Sequence, residues 1–317
     1  MAKTTVSIDE RRNPESIYTA GYQMEKFTKM KTIKQLLSED GLSLACGAAN
    51  AMIAKLAENA GFDATWLSSF EMHAWNRFPD ASILNVADYA DAINKISDRI
   101  NIPILVDADE GGPSAINTIR MAREYSKAGA WGMCIEDNPS PKRCSFYGMK
   151  KQLEKPEIMM GKLKAAVEKS NKDGFAVIAR TESLIQGHGF DVAMERARMY
   201  IDQGIDAFLI HNKNDTPEEV LKFADIYHKA NLKTPLVCVP TTYNQVTTSQ
   251  LENAGFSMAI YANYSVRATV KILQHMFSNL INEGSLSAGN SDVVPMTEIF
   301  KLIAVDELKD NQKRYGS

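Results

Sequence analysis

Acidic residues gather at two points in the sequence where an apolar, strand-like run ends. Asp107, Asp109 and Glu110 end one such run, and Glu136 and Asp137 end the next. Carboxylates packed together repel one another and take up protons unless a cation neutralises them. Their oxygen atoms suit Mg2+, with Mn2+ as the alternative. We therefore expect a metal site built on Asp107, Asp109 and Glu136, and separate solvated loop acids are the competing interpretation.

Three further polar residues occupy positions from which they could reach the same site. Asp80 lies in a loop after another apolar run and could add a carboxylate to the water shell of the cation. Arg180 and His211 each close an apolar run. A guanidinium at the end of a buried strand needs an anionic partner, either a substrate carboxylate or phosphate or a neighbouring acid such as Glu182. His211 is equally compatible with a hydrogen-bonded residue at the edge of the core.

A basic segment that contains a thiol follows the second acidic cluster. Lys142, Arg143, Cys144 and Ser145 stand in succession there. Positive neighbours favour the reactive thiolate form of a cysteine, and a loop of this kind can cover an active site and exclude water. A solvated basic loop is the alternative. The remaining cysteines lie in predicted strands, where we expect core thiols: Cys46, Cys134 and Cys238.

The elements that must position these side chains are short apolar runs that alternate with amphipathic stretches from residue 32 onward. This alternation is typical of a parallel sheet covered by helices. Eight strands in about 240 residues predict a closed (β/α)8 TIM barrel, whose C-terminal strand ends all meet at one mouth. A doubly wound open sheet is the alternative, although no GxGxxG motif follows the first strand. The predicted strands are Ser43–Cys46, Ala64–Ser68, Ile104–Asp107, Gly132–Glu136, Phe175–Arg180, Ala207–His211, Leu236–Pro240 and Met258–Tyr261.

Two segments lie outside the predicted strands and helices of the barrel. Residues 1–31 are polar without a sustained apolar period and are predicted to be an N-terminal arm, whereas residues 32–317 hold the barrel and its C-terminal helices. The apolar period from Val270 to Leu280 predicts one helix, and a further helical segment is expected from Thr297 to Asp310. That second segment packs either on its own barrel or on a neighbouring subunit.

The composition excludes several classes of protein. The chain has 317 residues, a net charge of -3 and 24% charged residues, which fits neither a disordered polyelectrolyte nor a broadly basic nucleic-acid binder. No apolar run approaches the roughly 20 residues that a membrane helix needs. Four dispersed cysteines without a CxxC pair or a secretory signal favour reduced thiols in a soluble, cytoplasmic protein.

Eight short motifs that occur in one order resemble the isocitrate lyase and phosphoenolpyruvate mutase superfamily, and the last three are most like its mutase branch. The likeness extends from about Met30 to the C-terminal segment. The motifs are Trp66–Phe70, Asp80, Asp107–Asp109, Glu136–Asp137, Pro141–Ser145, Ala179–Glu182, His211–Lys213 and Val239–Tyr243. The resemblance implies a Mg2+-dependent (β/α)8 barrel that acts on a small anionic 2-oxo or enol acid, often as a homotetramer whose C-terminal helix is exchanged between subunits.

The resemblance also implies roles for individual positions around the metal. Asp107 would bind the metal directly, and the carboxylates of Asp80, Asp109 and Glu136 would hold its water ligands. The remaining positions would contact the substrate or take part in the reaction.

Substrate contacts are implied for the motif that begins with Trp66. Ser68 and the adjoining backbone of Ser69 and Phe70 would bind the carboxylate or pyruvyl oxygens. Arg180 and His211 would face the group that is transferred. The catalytic set that the resemblance implies is Asp80, Lys142, Cys144, Ser145, Arg180 and His211, with Lys142, Cys144 and Ser145 on a gating loop.

Two positions depart from the family pattern and leave the reaction open. Mutases usually carry asparagine where Cys144 stands, and lyases continue from the corresponding cysteine into Gly-His, whereas this chain continues into Ser145 and Phe146. Glu110 stands where the family commonly has threonine. The leading hypothesis is a mutase that interconverts phosphoenolpyruvate and phosphonopyruvate. The alternatives are a C–C lyase of the 2-methylisocitrate type with Cys144 as general acid or base, a phosphonopyruvate hydrolase, and a non-catalytic binding or assembly subunit.

Overall fold

The computed structural model describes residues 30–142, 144, 147, 152–170, 173–287 and 293–316. It divides into two compact units, of which the first ends at Asn263 and the second begins at Tyr264. Nearly all of the predicted N-terminal arm lies outside the described residues. Two residues of the predicted gating loop, Arg143 and Ser145, also lie outside them.

Eight parallel strands form a closed barrel in the first unit. Each strand pairs with the next one along the chain, and the last pairs with the first. The predicted TIM barrel is confirmed and the open sheet is wrong, and every strand end lies within two residues of its predicted position. The strands are β1 (Ser43–Gly47), β2 (Ala64–Leu67), β3 (Ile104–Asp107), β4 (Gly132–Glu136), β5 (Ala176–Thr181), β6 (Ala207–Ile210), β7 (Leu236–Cys238) and β8 (Phe256–Tyr261).

Helices connect the strands, and several begin at capping residues that the sequence supplies. At one start, the Asn85 side chain accepts a backbone N–H of the first turn while the Asp88 carboxylate accepts the N–H of Asn85. Such a capping box satisfies amide groups that a helix start leaves without partners. The helices are α1 (Ile33–Ser38), α2 (Ala51–Asn59), α3 (Ser69–Trp75), α4 (Val86–Ser97), α5 (Ala115–Ala128), α6 (Pro156–Lys169), α7 (Gly189–Ile201), α8 (Glu218–Lys229) and α9 (Thr248–Asn253).

The interior of the barrel is filled in layers, because successive residues of a strand point to opposite faces of the sheet. An apolar cluster fills the lower interior, where α1 closes the end at which the strands begin. Its members include Trp66, Leu105, Cys134, Ile178 and Leu209. Two residues further along the same strands, on the same face, stand Ser68, Asp107, Glu136, Arg180 and His211. The period of two thus places each of these polar residues above an apolar residue of the cluster, toward the mouth.

The cysteines are free thiols in different surroundings. Cys134 and Cys238 are buried in β4 and β7, and burial raises the pKa of both thiols above its usual value. Cys46 in β1 is only half-buried, so its side chain is less buried than the predicted core thiol.

The second unit consists of helices. They are α10 (Tyr264–Glu283), α11 (Met296–Leu302) and α12 (Val305–Tyr315). The helix predicted around residues 270–280 is confirmed, but the segment expected as one helix from Thr297 to Asp310 is two, because Ala304 takes a left-handed backbone conformation with φ of 56°. None of the helices in the described part of the chain is apolar over a length sufficient to cross a membrane.

Candidate active site

The ammonium group of Lys142 lies between two carboxylates at the C-terminal mouth of the barrel. Its Nζ is 2.5 Å from Oδ1 of Asp109 and 3.0 Å from Oδ2 of Asp80. All three side chains are buried. Lys142 comes from the loop after β4, Asp109 from the loop after β3 and Asp80 from the loop after α3. These ion pairs therefore join three loops that are far apart in the sequence.

The first turn of α3 connects these carboxylates with Asp107. The Ser69 hydroxyl lies 2.9 Å from Oδ2 of Asp109 and 3.0 Å from Oδ1 of Asp80, so its single proton serves one carboxylate at a time. The backbone N–H of Ser69 donates to Oδ2 of Asp107 at 3.4 Å. The helix begins at this point because the Ser68 hydroxyl accepts an amide N–H of its first turn. The cap thus fixes the backbone that faces the acids.

His73, which the sequence analysis did not single out, is a buried part of this arrangement. Its Nδ1 lies 2.8 Å from the carbonyl oxygen of Ser69 and 3.6 Å from Oδ1 of Asp80. Its Nε2 accepts the backbone N–H groups of Ile83 and Leu84, each at 3.3 Å. A ring nitrogen that accepts amide protons carries none, so Nδ1 is the donor. His73 thereby ties the Asp80 loop to α3, and its place four residues after Ser69 is the sequence signal for that contact.

Burial and charge act in opposite directions on the acids around Lys142. Burial raises the pKa of Asp80, but Lys142 outweighs it and the pKa lies below its usual value. Burial, reinforced by Asp107 and Asp80, holds the pKa of Asp109 well above its usual value despite Lys142. Burial lowers the pKa of Lys142, but the two carboxylates outweigh it and the pKa is well above normal. Asp80 is therefore ionised beside the charged Lys142, whereas burial and the neighbouring acids favour the protonated form of Asp109.

Arg180 is held from three directions on the β5 and β6 side of the mouth. Its Nε donates to Oε1 of Glu182 at 2.6 Å. Its Nη2 lies 2.6 Å from Nδ1 of His211 and 3.2 Å from Oε2 of Glu136. Nδ1 of His211 is also 3.0 Å from Oε1 of Glu182, and this nitrogen either accepts from the guanidinium or donates to the carboxylate. The prediction left open a substrate or Glu182 as the partner of Arg180, and the structure shows the contact with Glu182.

Burial and the contacts of Arg180 also determine the charges of Glu136, His211 and Arg180 itself. Burial raises the pKa of Glu136 to about 7, against the effect of Arg180. Burial and the nearby guanidinium lower the pKa of His211, so the imidazole is neutral near pH 7. Burial lowers the pKa of Arg180, but Glu182 and Glu136 outweigh it and the pKa lies well above normal. The guanidinium is therefore a permanent positive charge at the mouth.

Asp137 belongs to a supporting network beside the site. Its carboxylate accepts from the Thr181 hydroxyl and the Glu182 backbone N–H, each at 2.8 Å. It also accepts from the Tyr200 hydroxyl at 3.0 Å and from Nη1 of Arg196 at 3.1 Å. Neither α7 residue emerged from the sequence reasoning. Asp137 thus joins β4, β5 and α7, and holds the backbone next to Arg180 and Glu182.

The remaining predicted site residues differ in their burial and surroundings. Trp66 is packed in the apolar layer beneath Ser68. The Phe70 side chain on α3 is 37% exposed. Cys144 is buried, and its backbone N–H donates to the carbonyl oxygen of Asp80 at 3.1 Å. The predicted catalytic residue Ser145 lies outside the described residues.

The acids at the mouth fit a hard divalent cation. Four of the buried carboxylates there are Asp80, Asp107, Asp109 and Glu136. Among the residues that the structure describes, Oε2 of Glu136 accepts no hydrogen bond, and no three His, Cys, Asp or Glu side chains are grouped so that they alone could hold a metal ion. Mg2+ is commonly held by one or two carboxylates, with waters and substrate oxygens as its other ligands. The donor set therefore suits Mg2+ better than a metal that needs a closed protein cage.

Comparison with known proteins identifies the family of this chain. The sequence pattern of the phosphoenolpyruvate phosphomutase family matches residues 33–281. The chain belongs to this family. The resemblance to the isocitrate lyase and phosphoenolpyruvate mutase superfamily is thereby confirmed.

Relatives of this chain within the superfamily catalyse different reactions. The phosphonopyruvate hydrolase of Variovorax sp. is 33% identical over 290 residues, which cover 91% of this chain and 99% of that protein. The phosphoenolpyruvate phosphomutase of Tetrahymena pyriformis is 31% identical over 288 residues, which cover 90% and 95%. The 2-methylisocitrate lyase of Halalkalibacterium halodurans is 31% identical over 281 residues, which cover 87% and 90%. The family is one of enzymes, and its members include mutases, a hydrolase and lyases.

Solved structures show the same fold and a metal complex. The crystal structure of phosphoenolpyruvate phosphomutase from Streptomyces platensis subsp. rosaceus matches with a TM-score of 0.86 and 35% identity, over 89% of this chain and 97% of that one. A phosphonopyruvate hydrolase in complex with oxalate and Mg2+ matches with a TM-score of 0.83 and 32% identity, over 90% and 98%.

Proposed function

We propose that this protein is a Mg2+-dependent phosphoenolpyruvate mutase, which interconverts phosphoenolpyruvate and phosphonopyruvate. The P–O bond of phosphoenolpyruvate breaks, and a P–C bond forms at C3 of the enolpyruvyl part. The observation that carries the proposal is the Arg180 guanidinium, held by Glu182 and Glu136 beside a neutral His211. A fixed cation next to a hydrogen-bonding ring is what a transferring phosphoryl group requires.

The residues of the β5 and β6 side would act on the phosphoryl group. Its charge is spread over three oxygens during transfer, so catalysis depends on positioning and on electrostatic stabilisation. Arg180 would supply the charge, and its partners hold the guanidinium in place before the substrate binds. The nitrogen Nε2 of His211 carries a proton when Nδ1 accepts from Arg180, and would then donate to a phosphoryl oxygen.

The first turn of α3 would hold the pyruvyl part of the substrate. The N–H and hydroxyl of Ser69 contact the carboxylates of Asp107 and Asp109 at the mouth, and Ser68 and Phe70 adjoin it in the sequence. The rigid cap at Ser68 would keep these groups oriented toward the substrate carboxylate. Cys144 would stand near the phosphoryl group in place of the amide that mutases usually carry, and a thiol is a weaker hydrogen-bonding group than an amide.

Asp107 would hold Mg2+ directly, with Asp80, Asp109 and Glu136 around its water ligands. Bound Mg2+ would supply positive charge for the carboxylate and enol oxygens of the substrate. The crowding of acids supports this, because buried carboxylates outnumber the cations in the described part of the mouth. Five such carboxylates are Asp80, Asp107, Asp109, Glu136 and Glu182, and the cations beside them are Lys142 and Arg180. A highly charged anion would be repelled without a further cation.

A substrate panel tests the proposed reaction. The purified protein with Mg2+ is incubated separately with phosphonopyruvate and with 2-methylisocitrate, and the products are followed by phosphorus-31 and proton NMR. A mutase forms phosphoenolpyruvate from phosphonopyruvate and leaves the carbon acid unchanged. Free phosphate with pyruvate would identify a hydrolase, which the Variovorax relative makes a specific alternative.

A C–C lyase is the second candidate, and the burial of Cys144 against the Asp80 loop is the observation that favours it. In such an enzyme the thiol would exchange a proton with the enolate carbon. Cys144→Ala would then abolish turnover of the carbon acid. In a mutase the same substitution lowers turnover of phosphonopyruvate by less than about tenfold, because one weak hydrogen bond is lost.

We also propose that the protein is a homotetramer in which the C-terminal helices are exchanged between subunits. The apolar side chains of the second unit support this, since α11 and α12 bury none of their residues. Phe277 on α10 is 58% exposed. Light scattering after size-exclusion chromatography would give four chain masses, and Phe277→Glu would lower the mass. A wild-type monomer would refute the assembly and leave the reaction assay unaffected.

A further inference from the structure

Glu110 is a buried carboxylate outside the set of residues assigned to the metal or the substrate. Its Oε1 accepts from the Ser140 hydroxyl at 2.9 Å. Its Oε2 accepts from the Ser82 hydroxyl at 3.3 Å. The side chain is 4% exposed. One carboxylate from the loop after β3 thus contacts the loop after α3 and the loop after β4.

The two serines stand close in sequence to the residues of an ion pair in the site. Ser140 precedes Lys142 by two residues, and Ser82 follows Asp80 by two residues. Lys142 Nζ and Asp80 Oδ2 are 3.0 Å apart. Two contacts further along the β4 loop also join these loops, from the Cys144 N–H to the Asp80 carbonyl and from the Asp80 N–H to the Tyr147 hydroxyl. Glu110 joins the same two loops through Ser140, which lies on the N-terminal side of Lys142, whereas Cys144 and Tyr147 lie on its C-terminal side.

The backbone that carries Glu110 is fixed without the help of its side chain. The carbonyl oxygen of Glu110 accepts from Nζ of Lys162 at 2.8 Å, and that lysine on α6 is almost fully buried. The carbonyl of Gly111 accepts from the Thr118 hydroxyl at 2.7 Å. Gly111 has φ of +72°, and a Cβ there would lie 2.9 Å from Cγ2 of Ile135. These contacts therefore hold the backbone of the loop in place. The Glu110 carboxylate is thereby positioned to accept hydrogen bonds from the other two loops.

We propose that Glu110 is a positioning residue that sets the Lys142–Asp80 ion pair by binding Ser140 and Ser82. The proposal rests on the proposed function only for the choice of phosphonopyruvate as the assayed substrate. Glu110 contacts neither Asp80 nor Lys142 in the described hydrogen bonds, so its effect passes through the serine hydroxyls. A charged acceptor suits this task, because a carboxylate can accept from two hydroxyls at once and such bonds are stronger than neutral ones.

Chemical labelling of Lys142 tests the proposal without any catalysis. The wild-type protein, Glu110→Ala and Ser140→Ala are treated briefly with acetic anhydride, and the acetylation of each lysine is quantified by peptide mass spectrometry. Both variants should acetylate Lys142 about tenfold faster than the wild type, as expected when a hydrogen bond to a charged group is lost. Lys164, exposed on α6, should react at an unchanged rate. Equal labelling of Lys142 in folded variants would overturn the proposal.

Steady-state kinetics with phosphonopyruvate separates positioning from a general effect on folding. Glu110→Ala should lower kcat about tenfold and change KM by less than about twofold, because the groups expected to bind the substrate are untouched. Glu110→Gln, which keeps an acceptor for Ser140, should recover most of kcat. The double variant of Glu110 and Ser140 should be no slower than Glu110→Ala alone, since the two act through one contact. Additive losses would contradict the proposal.

Two controls keep these outcomes interpretable. Glu124→Ala changes an exposed acid on α5 and should behave as the wild type in both experiments. Ser140→Ala removes one hydroxyl from a half-buried position and gives the same test if Glu110→Ala fails to fold. A wild-type protein that does not turn over phosphonopyruvate would refute the proposed function, whereas the labelling result would still decide the role of Glu110.

Discussion

The two sides of the barrel mouth hold their cations in opposite ways. On the β3 side, one loop lysine, Lys142, is shared by Asp80 and Asp109, and burial together with the neighbouring acids raises the pKa of Asp109 well above its usual value. On the β5 side, the guanidinium of Arg180 is bonded to Glu182 and lies next to His211. A flexible ammonium is a point charge, whereas a planar guanidinium is a fixed fork. The first side is suited to an added cation, and the second to recognising an anionic group of defined geometry.

Removal of the central carboxylate on the β3 side should have the largest effect. Asp107→Ala should lower kcat/KM for phosphonopyruvate by about 10³-fold, because the cation loses its expected direct ligand. Steady-state kinetics over a range of Mg2+ concentrations measures the loss. Thermal unfolding of the same variant serves as the control for folding. Activity equal to that of the wild type would refute the metal assignment.

Replacement of the Arg180 guanidinium by an ammonium group tests the β5 side of the mouth. Arg180→Lys keeps the positive charge but loses the simultaneous contacts with Glu182, Glu136 and His211. We expect kcat/KM to fall about 10²-fold, since a lysine cannot reproduce a bidentate geometry. Mg2+ binding, measured by calorimetry, should change far less than in Asp107→Ala. Equal losses of Mg2+ affinity in both variants would show that the two sides do not differ in function.

The hydrogen-bond network of Asp137, next to Arg180, should contribute to the stability of the folded protein. Tyr200→Phe removes a hydroxyl that donates to the buried carboxylate of Asp137 and keeps the ring in place. The free energy of unfolding should fall by about 1.5 kcal/mol, the cost of a hydrogen bond to a charged group. Urea unfolding measures it, with Tyr227→Phe as the matched control, whose hydroxyl donates to a backbone carbonyl instead. A larger loss of unfolding free energy in Tyr227→Phe than in Tyr200→Phe would contradict a stabilising role of the Asp137 network.

Much of the fold was predictable because its signals are local. Strands such as Ile104–Asp107 and Gly132–Glu136 coincide with their predicted limits, since short apolar runs between helical periods have few other structures. The break at Ala304 was missed because alanine favours helix and nothing in its type indicates a left-handed conformation.

The site was predictable in its components but not in its connections. Asp107, Glu136, Arg180 and His211 lie within one residue of the C-terminal ends of their strands, so the barrel alone brings them together. The ion pairs of Lys142 and the role of His73 depend on how loops fold over the mouth, which the spacing of residues does not determine. Asp137 is acidic like its neighbours, and its separate role became evident only from Arg196 and Tyr200 on α7.

The phosphorus balance of the reaction distinguishes a mutase from a hydrolase or a lyase. Phosphonopyruvate is added to the purified protein with Mg2+, and the phosphorus-31 signals of substrate, phosphoenolpyruvate and inorganic phosphate are integrated over time. We expect phosphoenolpyruvate to appear in the amount in which phosphonopyruvate disappears, because the phosphoryl group would pass from carbon to oxygen beside Arg180 without reaching water. Inorganic phosphate as the first and sole new signal, or no change in the substrate signal, would contradict it.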